Sequence, residues 1–136
     1  MTEPVVAHHQ PFVVNEDDVE TERWDDPVKG IVQWRTLLSA DRTPTSMMTV
    51  GVATLEPGAA DEFHPHRHSD AEVYYILEGS GLVEIDGAQH AVRAGTAVFI
   101  PGDAWHSAIN TGTTVMRLLY VFAVDSFDQV GYVFPE

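Results

Sequence analysis

From Gly30 onward, apolar residues gather in short runs rich in valine, isoleucine, threonine and aromatics, and each run stops at glycine, proline, asparagine or aspartate. The runs are Ile31 to Leu38, Met47 to Leu55, Glu72 to Leu77, Leu82 to Ile85, Ala97 to Ile100, Trp105 to Ile109 and Thr114 to Val124. They read as strands, because branched and aromatic side chains suit a pleated surface and the residues between them suit turns. The turn signals Glu56-Pro-Gly58, Glu78-Gly-Ser-Gly81, Asp86-Gly87, Pro101-Gly102 and Asn110-Thr-Gly112 have the spacing of an all-β sandwich or barrel. Asp86-Gly87, between Leu82-Val-Glu-Ile85 and Gln89-His-Ala-Val92, predicts a type I′ hairpin whose two turn residues take positive φ. No amphipathic helix, internal repeat or low-complexity tract is visible.

At 136 residues the chain has the length of one domain with one core. Residues 1–29 are polar and acidic and are expected to form an N-terminal arm, with residues 30–136 forming the barrel. Within the arm Trp24-Asp-Asp-Pro27 reads as a turn, and Val5-Val6 and Phe12-Val13-Val14 are apolar enough to pair with a sheet edge and cover it.

Charge narrows the partners. Twenty-one acidic residues against seven basic ones give a formal charge of −14, which repels phosphate backbones and anionic lipid, so neither nucleic acid nor a membrane is expected as a partner. The sole lysine is Lys29, and the arginines form no cluster. Met1 to Gln10 lacks a basic region followed by an apolar run, and no stretch has the length of apolar residues that a spanning helix needs, so a cytoplasmic protein is expected. With no cysteine in the chain, any metal must be held by imidazole and carboxylate.

Those ligands stand in one segment. His64, His66 and His68 alternate with other residues, and Glu72 follows four residues after His68. Positions two apart on a strand share a face, so His66 and His68 can aim at one ion and Glu72 can return an oxygen to it. His106, flanked by Trp105 and by apolar Ala108 and Ile109, is the candidate fourth ligand, and His90 beside the hairpin is not. The alternative is a polar loop of solvent-facing histidines with one satisfied core histidine, which gives no reason for ligand spacing. Nitrogen and oxygen donors together suit Fe, Mn, Ni, Co, Zn or Cu rather than calcium or magnesium, so one divalent transition metal is expected as cofactor, its identity open.

His66-x-His68, three residues, Glu72, six residues and Gly79 resemble the second half of the first cupin motif, and Gly95, Pro101, His106 and Asn110 match the second motif at the right spacing. The resemblance covers roughly residues 45 to 124 and implies an all-β cupin jelly-roll barrel with the metal inside, held by His66, His68, Glu72 and His106. Two positions depart from the motifs. Gly58 lies five residues before His64 and not before His66, so a shifted register with His64, His66 and Asp70 is conceivable; it puts Leu77 where the closing glycine belongs, and a loop two residues longer before His66 is preferred. Asp103 occupies the glycine position of the Pro-x-Gly element, with Gly102 expected to supply the flexibility.

Alternation along Glu72 to Leu77 turns Tyr74 and Ile76 to the face of Glu72 and Tyr75 to the other. A dication beside Tyr74 favours its phenolate and makes it a candidate general base, against the plainer role of a packed core aromatic. Gly30-Ile-Val-Gln-Trp34, Ser69-Asp-Ala-Glu-Val-Tyr74 and the ending Val121 to Tyr132 resemble the short single-domain cupin lyases that act on dimethylsulfoniopropionate. That resemblance implies a metal that holds the substrate carboxylate and a tyrosine, at the position of Tyr74, that removes the α-proton to release dimethyl sulfide and acrylate. A sulfonium group favours aromatic faces, for which Trp34, Trp105, Tyr120 and Phe122 are the candidates, with Tyr75 beside them. The alternatives are an Fe(II)-dependent dioxygenase or other oxidoreductase, an isomerase or epimerase, and a non-catalytic small-molecule-binding cupin. Family resemblance also implies a homodimer, joined through the N-terminal arm and an outer sheet face.

Overall fold

A computed structural model describes residues 11–58 and 63–135. Nine strands carry the fold: β1 (Glu22–Asp26), β2 (Gly30–Leu38), β3 (Thr49–Leu55), β4 (Glu72–Glu78), β5 (Ser80–Ile85), β6 (Ala88–Arg93), β7 (Ala97–Ile100), β8 (His106–Asn110) and β9 (Met116–Phe122). The only helical pieces among the described residues are two 3-10 turns, Glu16–Asp18 and Phe127–Gln129, and no helix is long and apolar enough to cross a membrane. Every pairing is antiparallel, in a six-stranded sheet ordered β1-β2-β3-β9-β4-β7 and a three-stranded sheet ordered β6-β5-β8. This is the all-β barrel that the strand pattern predicts.

Alternation builds the interior. On β4, Glu72, Tyr74 and Ile76 are buried while Val73, Tyr75 and Leu77 are exposed. β2 turns Val32, Trp34 and Thr36 inward, and β9 turns Met116, Leu118, Tyr120 and Phe122 inward. Each large apolar side chain buried in this way contributes about 1.5–3 kcal/mol, so the histidines sit in a wall that folds for its own reasons.

Turns set the crossings between sheets. At Gly79, between β4 and β5, the backbone has φ +83 and a Cβ atom would stand 2.5 Å from the Val115 carbonyl, so glycine is needed on both counts. Asp86 and Gly87 take φ values of +48 and +86, as the type I′ hairpin requires. At the end of β8 the Asn110 amide nitrogen donates to the carbonyls of Leu55 and Thr114, each at 2.9 Å, and its oxygen accepts from the Gly112 N–H at 2.9 Å. Asn110→Ala removes all three bonds, one of them to the buried Leu55 carbonyl, and is expected to cost about 3 kcal/mol, read as a lower midpoint in urea unfolding.

Three expectations are corrected. Trp24 and its neighbours form a strand rather than a turn: β1 pairs with β2 along its length, and the turn falls at residues 27–29. Phe12 to Val14 lie outside any strand, and Val5-Val6 falls outside the described residues, as does most of the segment in which the longer loop before His66 was placed. Glu16, not the apolar residues, ties the arm down, through its carbonyl to Arg35 at 2.9 Å and its carboxylate to Arg117. At the Pro-x-Gly element Asp103 itself takes φ +66, which aspartate tolerates, while Gly102 is needed because a Cβ there would lie 2.4 Å from the Ser69 carbonyl.

Candidate metal centre

Three backbone contacts bring the histidines together. His66 and His106 form a two-bond antiparallel bridge, with N–O distances of 3.0 and 2.9 Å, and the Asp103 N–H donates to the His68 carbonyl at 2.7 Å. Glu72 opens β4 opposite Phe122 of β9 and Ile100 of β7, which puts its carboxylate at the same end of the barrel. His66, His68, Glu72 and His106 are each no more than 4% exposed.

The ring orientations are set in the same way three times. His66 Nδ1 meets the His64 carbonyl, His68 Nδ1 the Asp70 carbonyl and His106 Nδ1 the Ala104 carbonyl, each at 2.8 Å. A carbonyl oxygen only accepts, so each Nδ1 carries the hydrogen, and Nε2 is the atom left to present a lone pair to a metal ion. His106 Nε2 and His68 Nε2 lie 3.2 and 3.3 Å from Glu72 Oε1. His68 Nε2 is off the line of a hydrogen bond and is a buried nitrogen with no hydrogen-bond partner.

Bare lone pairs facing a carboxylate repel unless a cation stands among them, and the donor set fits one. One ring nitrogen from each of His66, His68 and His106 lies within 4.8 Å of the other two. Donors about 2.1 Å from a shared ion stand roughly 3–4 Å apart, so the group needs little closing. The Nδ1–carbonyl bonds are the supports that hold metal-binding imidazoles in one tautomer.

The electrostatics differ from ring to ring. Burial first, and the neighbouring His106 second, hold His66 well below its ordinary value, which keeps it neutral. At His68 burial pulls the same way, but the Glu72 carboxylate outweighs it and the net shift is upward. Burial, and then the charge of Glu72, push the Tyr74 phenol well above its ordinary value, so without a cation Tyr74 is a neutral phenol.

A cavity of about 40 Å³ adjoins Glu72 and Tyr74. Its wall includes Trp24, Trp34, Phe63, Tyr120, Phe127 and Tyr132, and no lysine or arginine among the described residues. Trp34 and Tyr120 are thus wall residues of this cavity. Phe122 is fully buried behind His68, with ring centroids 5.1 Å apart, and is a support rather than part of the wall. Trp105 lies outside this wall, with its ring under the Arg67 guanidinium at 4.9 Å. Tyr75 faces out.

His64 is not in the group of three; its Nδ1 is bonded to the Val28 carbonyl at 2.8 Å. His90 lies on β6, exposed.

Four wall residues were not foreseen. Trp24 lies in a segment read as a turn, and Phe63, Phe127 and Tyr132 lie in stretches without periodicity. Phe63 stacks on His66 at 4.0 Å, and the Tyr132 ring is 5.2 Å from those of both His66 and His68. A backbone bridge between Arg67 and Val133 places Tyr132 there. The sequence signal for two of them was the lyase-like C-terminal stretch, Val121 to Tyr132, which contains Phe127 and Tyr132.

Known proteins resemble the chain in this frame. The sequence profile described as "Cupin domain" matches residues 51–122. The dimethylsulfoniopropionate lyase DddW of Ruegeria pomeroyi is 40% identical over 126 residues, covering 93% of this chain and 81% of that protein. Among solved structures, a predicted oxalate decarboxylase from Thermotoga maritima superposes with TM-score 0.68 at 29% identity, over 83% of this chain and 99% of that one. The polyketide cyclase RemF from Streptomyces resistomycificus superposes with TM-score 0.73 at 24% identity, over 93% and 88% of the two chains.

Proposed function

The chain belongs to the cupin family, and from that premise we propose that it is a metal-dependent lyase that eliminates dimethyl sulfide from dimethylsulfoniopropionate or a close analogue. The observation that carries this reading is the convergence of three buried imidazoles and one carboxylate beside a cavity walled by aromatic rings. The 40% identity to a dimethylsulfoniopropionate lyase supports the choice of substrate.

His66, His68, Glu72 and His106 hold the ion, of a divalent transition type. When bound, it supplies positive charge that gathers a carboxylate and stabilises negative charge developing beside it. Among the described residues the cavity wall has no lysine or arginine to do this. The aromatic wall of Trp24, Trp34 and Tyr120 offers ring faces to a sulfonium at the other end of the substrate. Tyr74, in the cavity wall and two residues from Glu72, would first lose its phenol proton to solvent, a loss that the charge of a bound ion would favour, and its phenolate oxygen would then accept the α-proton. The C–H electron pair becomes the carbon–carbon double bond as the C–S bond breaks, leaving dimethyl sulfide and acrylate, and the proton on Tyr74 returns to solvent. The assignment of Tyr74 rests on its position in the wall.

Incubation of the metal-loaded protein with dimethylsulfoniopropionate tests the reading. Dimethyl sulfide in the headspace and acrylate in solution, in equal amounts, are expected. Oxygen uptake without sulfide marks an iron-dependent dioxygenase, and a raised melting temperature without turnover marks a binding protein.

The outer face of the six-stranded sheet exposes Val73, Tyr75, Leu77 and Phe99, with Val73 and Phe99 directly paired across β4 and β7. A second copy of the chain covers this face in the proposed homodimer, because an apolar patch on a highly charged protein marks an interaction site. Light scattering is expected to give twice the chain mass, and Phe99→Glu to give the monomer.

A further inference from the structure

The turn between β1 and β2 is built around the chain's sole lysine. Asp26 Oδ1 accepts from the Val28 and Lys29 N–H groups at 2.7 and 3.0 Å, and the Lys29 carbonyl accepts from the His64 N–H at 2.9 Å. The turn is thus pinned both to its own strand and to the segment that leads into the histidines. It sets the Lys29 ammonium 4.5 Å above the ring of Trp24. Among the described residues Lys29 forms no ion pair, whereas Arg23, Arg35, Arg42 and Arg117 each meet a carboxylate.

Trp24 is a wall residue of the cavity, and with Phe63, Phe127 and Tyr132 it is one of the wall aromatics that are only half-buried. Its ring lies 5.1 to 5.7 Å from those of Trp34, Phe63 and Tyr132. Lys29 is not itself a wall residue; it meets the wall through the ring of Trp24. A carboxylate approaching a chain of net charge −14 meets a repulsive field, and the wall inside has no lysine or arginine to offset it.

We propose that Lys29 is the receiving residue for the substrate's carboxylate: its ammonium takes the anionic end beside the Trp24 ring and presents it past that ring toward the histidines and Glu72. This rests on the reading of the substrate as an organic acid, though not on the reaction that follows. Cation–π contact holds the ammonium beside the Trp24 ring, with the Asp26 carboxylate near enough to feel its charge but not ion-paired to it.

The test uses the full chain, loaded with metal, and acrylate as the probe. Stopped-flow tryptophan fluorescence gives the association rate for wild type, Lys29→Gln and Lys29→Arg at low and high salt. Removing a charge at a rim changes association and its salt dependence more than the bound state, so Lys29→Gln is expected to slow association about five- to tenfold at low salt. The gap should close to within about twofold near 0.3 M salt, where screening acts within a few ångströms. Lys29→Arg should keep the wild-type rate, and with dimethylsulfoniopropionate the loss should fall on KM rather than kcat. Equal rates for wild type and Lys29→Gln at low salt overturn the proposal. So does a loss that persists at high salt and is shared by Lys29→Arg, which marks Lys29 as packing for Trp24. The acrylate measurement needs no turnover, so a chain that releases no sulfide removes the lyase and leaves the role of Lys29 decided separately.

Discussion

His106→Ala protein is expected to lose its metal and, with it, lyase activity by about a thousandfold or more, roughly 4 kcal/mol of barrier. His106 contributes on three sides: its backbone bridges to His66, its Nδ1 is fixed by Ala104, and its Nε2 faces Glu72. Changing a residue that merely supports a metal ligand already costs about 10–100-fold in affinity, so removal of a ligand should exceed that. His66→Ala tests the same centre from the other side of the bridge and should behave alike. Alanine also opens a hole in a packed wall, so His106→Gln, which fills more of the space, separates lost ligation from lost packing. Elemental analysis after dialysis is the measurement. A variant folded as wild type and holding a full equivalent of metal removes His106 from the ligand set.

Tyr74→Phe is expected to keep the metal and lose about a hundredfold or more in kcat, the usual effect of removing a general base. The substitution deletes one oxygen from a side chain that is otherwise packed apolar surface, so the fold should hold. Tyr132→Phe is the comparison, because Tyr132 also lines the cavity and its ring approaches His66 and His68. A deep loss in Tyr74→Phe with metal content unchanged assigns the proton transfer to Tyr74. Near-normal turnover in Tyr74→Phe with a deep loss in Tyr132→Phe transfers that role to Tyr132.

The parts of the fold legible in the sequence were those where one local rule had no competitor. Asp86-Gly87 demanded its hairpin, and alternation on β4 separated Glu72, Tyr74 and Ile76 from Val73 and Tyr75. The histidine spacing placed His66 and His68 on one face, and the second motif supplied His106. β1 was missed because its sequence, Glu-Arg-Trp-Asp-Asp, is polar and turn-forming. It is a strand only because β2 offers an edge, and none of its residues is fully buried. Which of the candidate aromatics face the cavity was not legible: Trp34 and Tyr120 line it, while Trp105 stands just before β8 and outside the wall. Trp24, Phe63, Phe127 and Tyr132 reach the cavity through long-range pairings, such as the bridge of Arg67 to Val133, that no local pattern announces.

Titrating the metal-free protein with one divalent ion at a time, while following dimethyl sulfide release from dimethylsulfoniopropionate, tests most directly whether a lyase is built on this centre. Release should rise in proportion to added ion and level off at about one equivalent per chain, as expected of a single site with deprotonated ligands. Sulfide release that ignores added metal and survives chelation, or no release from protein holding a full equivalent of every ion tried, contradicts it.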